Sequence, residues 1–80
     1  MFYMQRLKDL REDRDLDQVD VAKILETTQS QYSKYERGMR ELPIRHLNTL
    51  ADFYHTSADY IMGRTNQKNP YPEARGLNKK

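Results

Sequence analysis

Residues 17–38 read DQVDVAKILETTQSQYSKYERG, and this stretch decides the fold. Val21, Ala22 and Leu25 recur at helical spacing behind Asp17, a residue type that caps helix starts, and Asp20 follows at the third position, near the positive helix end. A short helix is expected there. Thr28 and Gln31 then form a T-x-x-Q capping box, in which the hydroxyl takes a backbone N–H and the amide reaches back, so another helix begins at Thr28 and runs to Arg37. Tyr32 and Tyr35 mark its inner face. Gly38 suits the left-handed position just past a helix end, where other residues are strained.

Working outward, Tyr3, Leu7 and Leu10 fall on one helical face, with charged residues between them up to Arg14. After Gly38, Pro43 opens a helix whose stripe is Ile44, Leu47, Leu50, Ala51 and Tyr54. Ser57 caps a last short helix with Ala58, Tyr60, Ile61 and Met62, closed by Gly63. No internal repeat and no period-two alternation argue for a sheet. The expected fold is all-α, a compact five-helix domain over residues 1–63. Residues 64–80 carry no apolar periodicity and read as a basic, flexible tail, with Arg64, Lys68, Arg75, Lys79 and Lys80 against Glu73 alone.

Eighty residues fit one small domain, which hides only about 60% of the surface its unfolded chain exposes. The absence of cysteine removes disulfides and thiolate chemistry, and no apolar run approaches the roughly 20 residues of a membrane span. The chain therefore reads as soluble and cytoplasmic. Its formal charge of +2 is too small to announce a polyanionic partner. His46 and His55 stand alone without ligand spacing, so no metal is expected, and Glu12 and Asp13 belong to a charged surface run and not to a catalytic pair. No enzymatic activity, cofactor or small-molecule ligand is expected.

Two short helices joined by a tight turn can cross steeply, so that the first lies over a DNA backbone while the second enters the major groove. A groove-entering helix needs hydrogen-bonding side chains outside and apolar ones inside. With Tyr32 and Tyr35 facing in, Gln29, Ser30, Ser33 and Lys34 occupy the outer side and are the base-contacting candidates. Arg40, Arg45 and the N–H groups at the start of the fourth helix are expected to position phosphates.

The stretches LKDLRED (7–13), DQVDVAKIL (17–25), TTQSQYSKYERG (27–38), RELP (40–43), LNTLADFY (47–54) and SADYIMGRT (57–65) together resemble the phage lambda repressor and Cro class of helix-turn-helix proteins, the XRE family. A generic helical bundle has no reason to place Gln at the start of its second helix, Tyr-Glu-x-Gly at the end of its third and Leu-Ala in its fourth. The resemblance implies a DNA-binding transcription regulator. It implies that Gln18 contacts a phosphate and braces Gln29, which presents its amide to adenine, and that Arg11 pairs with Glu36. Arg11 joins Gln18, Arg40 and Arg45 as a phosphate-contacting candidate, and Lys34 reaches either a guanine or a phosphate.

The family's partner is double-stranded DNA, bound here, on this reading, by a homodimer repressing through a palindromic operator. Dimer contacts are expected from the fifth helix, Phe53, Met62, Tyr71 or Leu77. A protein-interaction module, antitoxin-like or an anti-repressor partner, is the alternative reading of the same fold. Two positions depart from the family pattern. Glu26 stands in the turn where glycine is usual, and Thr56 replaces an apolar residue, which is expected to loosen the corner between the fourth and fifth helices.

Overall fold

The computed structural model describes residues 2–70, with side chains from Gln5 onward. The side chain of Tyr3 and the tail from Tyr71, Leu77 included, lie outside the described residues. Five helices follow one another: α1 (Phe2–Asp13), α2 (Gln18–Ile24), α3 (Gln29–Glu36), α4 (Ile44–Phe53) and α5 (Ala58–Ile61). No strand occurs among the described residues.

Each helix stops in the same way. A left-handed residue follows the last turn; its N–H and the next one bend back to carbonyls of that turn, satisfying acceptors that a helix end otherwise strands. Gly38 (φ 72°) does this for α3 and Gly63 (φ 79°) for α5. At the other three corners the same position is held by Asp15 (φ 56°), Glu26 (φ 57°) and His55 (φ 58°). Glu26 thus adopts the left-handed turn that glycine takes more easily: its N–H meets Lys23 O, and that of Thr27 meets Ala22 O at 2.9 Å. A side chain in this backbone region costs about 1–2 kcal/mol. The chain tolerates the strain because two helices fix the ends of each turn.

Helix starts follow the sequence with one exchange. At α2 the Asp20 carboxylate takes the backbone N–H of Asp17 at 2.8 Å. At α3 the Thr28 hydroxyl accepts from Gln31 N at 3.1 Å, but the Gln31 amide, expected to reach back, instead donates to the Tyr35 hydroxyl at 3.3 Å. Only the Thr28 half of that box is made.

The core joins Leu7 and Leu10 of α1, Val21, Ala22 and Leu25 around α2, Tyr32 and Tyr35 of α3, Leu50, Ala51 and Tyr54 around α4, and Ile61 of α5. Tyrosines on the inner face of α3 give the core an aromatic centre. Tyr32 meets Tyr35 edge-on at 6.4 Å, and Tyr35 meets His46 at 6.0 Å. His46 is therefore buried on α4 and its pKa is lowered by burial and then by Arg45. Ile44 departs from its expected place in the α4 stripe: as the first residue of the helix it projects past the core and is 75% exposed.

Residues 64–70 lie against α1 and the α4–α5 corner. Arg6 donates to Tyr60 O, Thr65 O and Asn66 Oδ1, each at 2.8 Å, and its guanidinium stacks 4.0 Å from the Tyr60 ring centre. Thr56, expected to loosen the corner, is buried, and its hydroxyl donates to Lys68 O. The polar atom is satisfied by the returning chain, so the corner closes around it.

Candidate nucleic-acid interface

The turn at Glu26 sets α3 against α2 so that the inner face of α3 is held by Tyr32 and Tyr35, both buried. Its opposite face is left outside. Gln29 and Ser30 are exposed at the start of α3, and Ser33 and Lys34, one turn further on, are half-buried. Arg40 and Arg45 are exposed beyond the end of α3 and at the start of α4. Arg37, which the sequence reading did not single out, adds an exposed guanidinium that folds back towards the Ser33 carbonyl at 3.4 Å.

Behind this face runs a continuous polar chain. Arg11 Nε donates to Glu36 Oε2 at 2.7 Å and Nη2 to Glu36 Oε1 at 3.1 Å, a two-pronged ion pair across 25 positions of sequence. Arg11 Nη1 donates to Leu16 O at 2.9 Å and so also fixes the α1–α2 connection. The two side chains retain only 12% and 5% of their exposure. Each of the three guanidinium nitrogens thus makes a bond inside the fold, and Arg11 acts as a brace.

Gln18 extends the chain outward. Its Nε2 donates to Glu36 Oε1 at 3.0 Å, and its Oε1 accepts from Gln29 Nε2 at 2.7 Å. Four side chains from three helices thus connect a shielded ion pair to an exposed amide. The Gln18–Gln29 contact is the one the family resemblance implies; the Gln18–Glu36 bond has no local sequence signal, because its partners are 18 residues apart on different helices.

Electrostatics agree with the geometry. Burial pushes the Glu36 carboxyl up, but hydrogen bonds led by that from Arg11, together with the Arg11 charge, outweigh it, and the carboxyl lies below its ordinary value. Arg11 is raised, chiefly by its hydrogen bonds to Glu36. The Tyr32 hydroxyl is buried beside Glu36, and burial, then the nearby carboxylate, raises its pKa. Burial likewise pushes Tyr54 up to about 12.

Among the described residues no group of three or more His, Asp or Glu side chains is placed to hold a metal ion, and no helix is long and apolar enough to cross a membrane. One apolar groove opens between α4 and α5, lined by Leu42, Ile44, Leu47, Ala58 and Met62.

Residues 7–61 match the helix-turn-helix family. Two proteins of Bacillus subtilis (strain 168) are similar to the chain. One is described as an uncharacterized HTH-type transcriptional regulator, YobD, 35% identical over 75 residues, which are 94% of this chain and 67% of that protein. The other is the HTH-type transcriptional regulator AnsR, 34% identical over 71 residues, 89% of this chain and 61% of the relative. The chain thus spans about two thirds of the length of these relatives. No solved structure matches it significantly. Five helices without a strand among the described residues, a turn at Glu26 that sets α3 against α2, and a family match covering most of the chain lead to one conclusion: this protein belongs to the Cro/C1-type helix-turn-helix family.

Proposed function

We propose that the protein is a transcription regulator that binds double-stranded DNA sequence-specifically, with α3 entering the major groove. One observation carries this reading: an exposed amide, Gln29, stands at the start of α3 and is tied through Gln18 to a shielded ion pair. Base edges are distinguished by positioned donors and acceptors, and a positioned side chain loses less freedom on binding than a free one. Gln29, Ser30, Ser33 and Lys34 contact bases. Gln18, Arg40 and Arg45 contact phosphates and set the register, and both relatives are described as transcriptional regulators.

The protein acts as a homodimeric repressor on a palindromic operator, its two α3 helices about 34 Å apart. One domain of this size touches too little DNA to be both tight and selective, and a second half-site multiplies the effective affinity. The groove beside the 75%-exposed Ile44 supports a second copy as its occupant, since a two-fold axis lets the Ile44 of each chain fill the groove of the other.

Selection of bound duplexes from a random pool, followed by a salt titration of the winner, tests the reading. The expected winner is a palindrome. Gln29→Ala relaxes preference at one base position per half-site, whereas Arg40→Ala or Arg45→Ala weakens binding to every sequence and flattens the salt slope by about 0.9 for each phosphate left without its counter-charge. Equal affinity for all duplexes refutes it.

A further inference from the structure

The polar chain behind α3 has a direction. A carboxylate only accepts hydrogen bonds, whereas a side-chain amide has one end that accepts and one that donates. Glu36 Oε1 therefore requires the donor end of Gln18, and the 3.0 Å bond to Gln18 Nε2 meets that requirement. With its nitrogen turned inward, Gln18 directs its acceptor end, Oε1, towards Gln29. Gln29 in turn must offer Nε2, as it does at 2.7 Å. What remains of the Gln29 amide for an outside partner is the acceptor Oε1 and one N–H.

From this we infer that Glu36, acting through Gln18, fixes which way round the Gln29 amide faces DNA and is thereby a specificity-determining positioning residue for the base that Gln29 meets. The inference rests on the proposed reading of Gln29 as a base contact. An acceptor beside a single donor is the complement of adenine, whose N6 amino group donates and whose N7 accepts; guanine shows two acceptors, O6 and N7, at the same place. Reversed, the amide spends one Oε1 lone pair on Gln18 and keeps both N–H groups, and the donor and acceptor that face the base change places, which mismatches adenine and lets a donor meet the acceptors of guanine. The choice between the two purines is thus made by a charge that touches neither.

Glu36→Gln reverses the chain with little change of shape. The new amide nitrogen avoids the Oε2 position, where Arg11 Nε donates at 2.7 Å, and takes the Oε1 position, where the Arg11 bond it displaces is the longer, 3.1 Å one. It then donates to Gln18, which turns over, and Gln29 turns over in response.

The test is binding of wild type and Glu36→Gln to duplexes differing only at the base opposite Gln29. The wild type is expected to favour adenine over guanine by roughly fivefold or more, the range of a good two-point amide contact. The variant is expected to lose that preference or invert it. A merely structural Glu36 would lower affinity for both duplexes alike, so a folded Glu36→Gln that keeps the wild-type ratio overturns the inference. Should that variant not fold, Gln18→Met leaves the Arg11–Glu36 pair in place and cuts the chain; loss of the adenine preference then supports the inference, and its retention overturns it.

Side-chain amide NMR of the free protein separates the two layers of the argument. In the wild type a Gln29 Nε2 proton is expected to be hydrogen-bonded to Gln18 Oε1, and in Glu36→Gln, or in Gln18→Met if that variant replaces it, this bond is lost. If the wild type discriminates no bases but its amide behaves in this way, the base-reading role fails while the orienting role of Glu36 stands. If the amide is free in the wild type, the orienting role fails.

Discussion

Replacing Glu36 by alanine tests the pair on which the proposed recognition face is mounted. The substitution leaves the Arg11 guanidinium, 12% exposed, with the Leu16 carbonyl as its only remaining acceptor and strips Gln18 Nε2 of its partner. Breaking a buried pair from one side costs about 3–5 kcal/mol, because the surviving charge keeps its burial and loses its counter-charge. Arg11 keeps 12% of its side-chain exposure and one acceptor, the Leu16 carbonyl, so the lower end of that range applies.

A chain of this length has a total stability of about 4–12 kcal/mol, so a loss of about 3 kcal/mol removes a quarter or more of it. For a domain of this size that corresponds to a fall in Tm of at least about 12 °C. Thermal and urea melts followed by circular dichroism read it directly. Arg11→Ala and the double variant complete a cycle, in which the double variant should be less damaged than the two single losses added together, since neither charge is then stranded. A Glu36→Ala loss below about 1 kcal/mol, the value of an exposed pair, refutes the reasoning.

Three further outcomes follow from the same geometry. Stability should be greatest between pH 6.5 and 10.0, the ordinary histidine and tyrosine values. On the acid side the lowered pKa of His46 means that the unfolded chain takes up its proton first, so stability falls as pH drops below 6.5, and the lowered Glu36 removes more below 4.5. On the alkaline side Tyr54, raised to about 12, keeps its proton in the fold longer than in the unfolded chain, so stability falls as pH rises past 10.0; melts across this range check both limbs. Glu26→Gly should relieve left-handed strain of about 1–2 kcal/mol while adding about 0.5–1 kcal/mol of unfolded-state entropy, for a net rise in Tm of a few degrees. Thr56→Val should cost about 1 kcal/mol and speed amide hydrogen exchange in residues 65–70, because the hydroxyl that holds Lys68 O is gone.

Most of the helical framework was legible because its signals are local. Spacing of Val21, Ala22 and Leu25, the cap at Thr28 and the stop at Gly38 each act within a turn or two, and the structure puts the helix boundaries within a residue or two of them. What escaped the sequence is what depends on distance. Thr56 reads as a polar intrusion until Lys68 O is found twelve residues on, and Arg6 reads as surface charge until Tyr60, Thr65 and Asn66 are brought to it. Ile44 fits the apolar period of α4 but stands one turn before the core begins, and periodicity alone carries no information about where a stripe meets its partner. At the candidate interface, the outer face of α3 was legible from the two tyrosines opposite it, whereas the three bonds of Arg11 required seeing three acceptors converge on one guanidinium.

The polar chain also grades from rigid to replaceable as it leaves the interior. At its inner end a charged pair is shielded from water, where each hydrogen bond is strong and the loss of either partner is expensive. At its outer end two neutral amides meet at the surface in a bond worth about 1 kcal/mol, comparable to what water offers in exchange. Gln29 can therefore be substituted without endangering the fold, while Glu36 cannot. Stability and base choice are then separable at one end of the chain and inseparable at the other: Gln29→Ala should alter base preference with an unchanged melt, and no substitution at Glu36 that disturbs the readout should leave the melt intact.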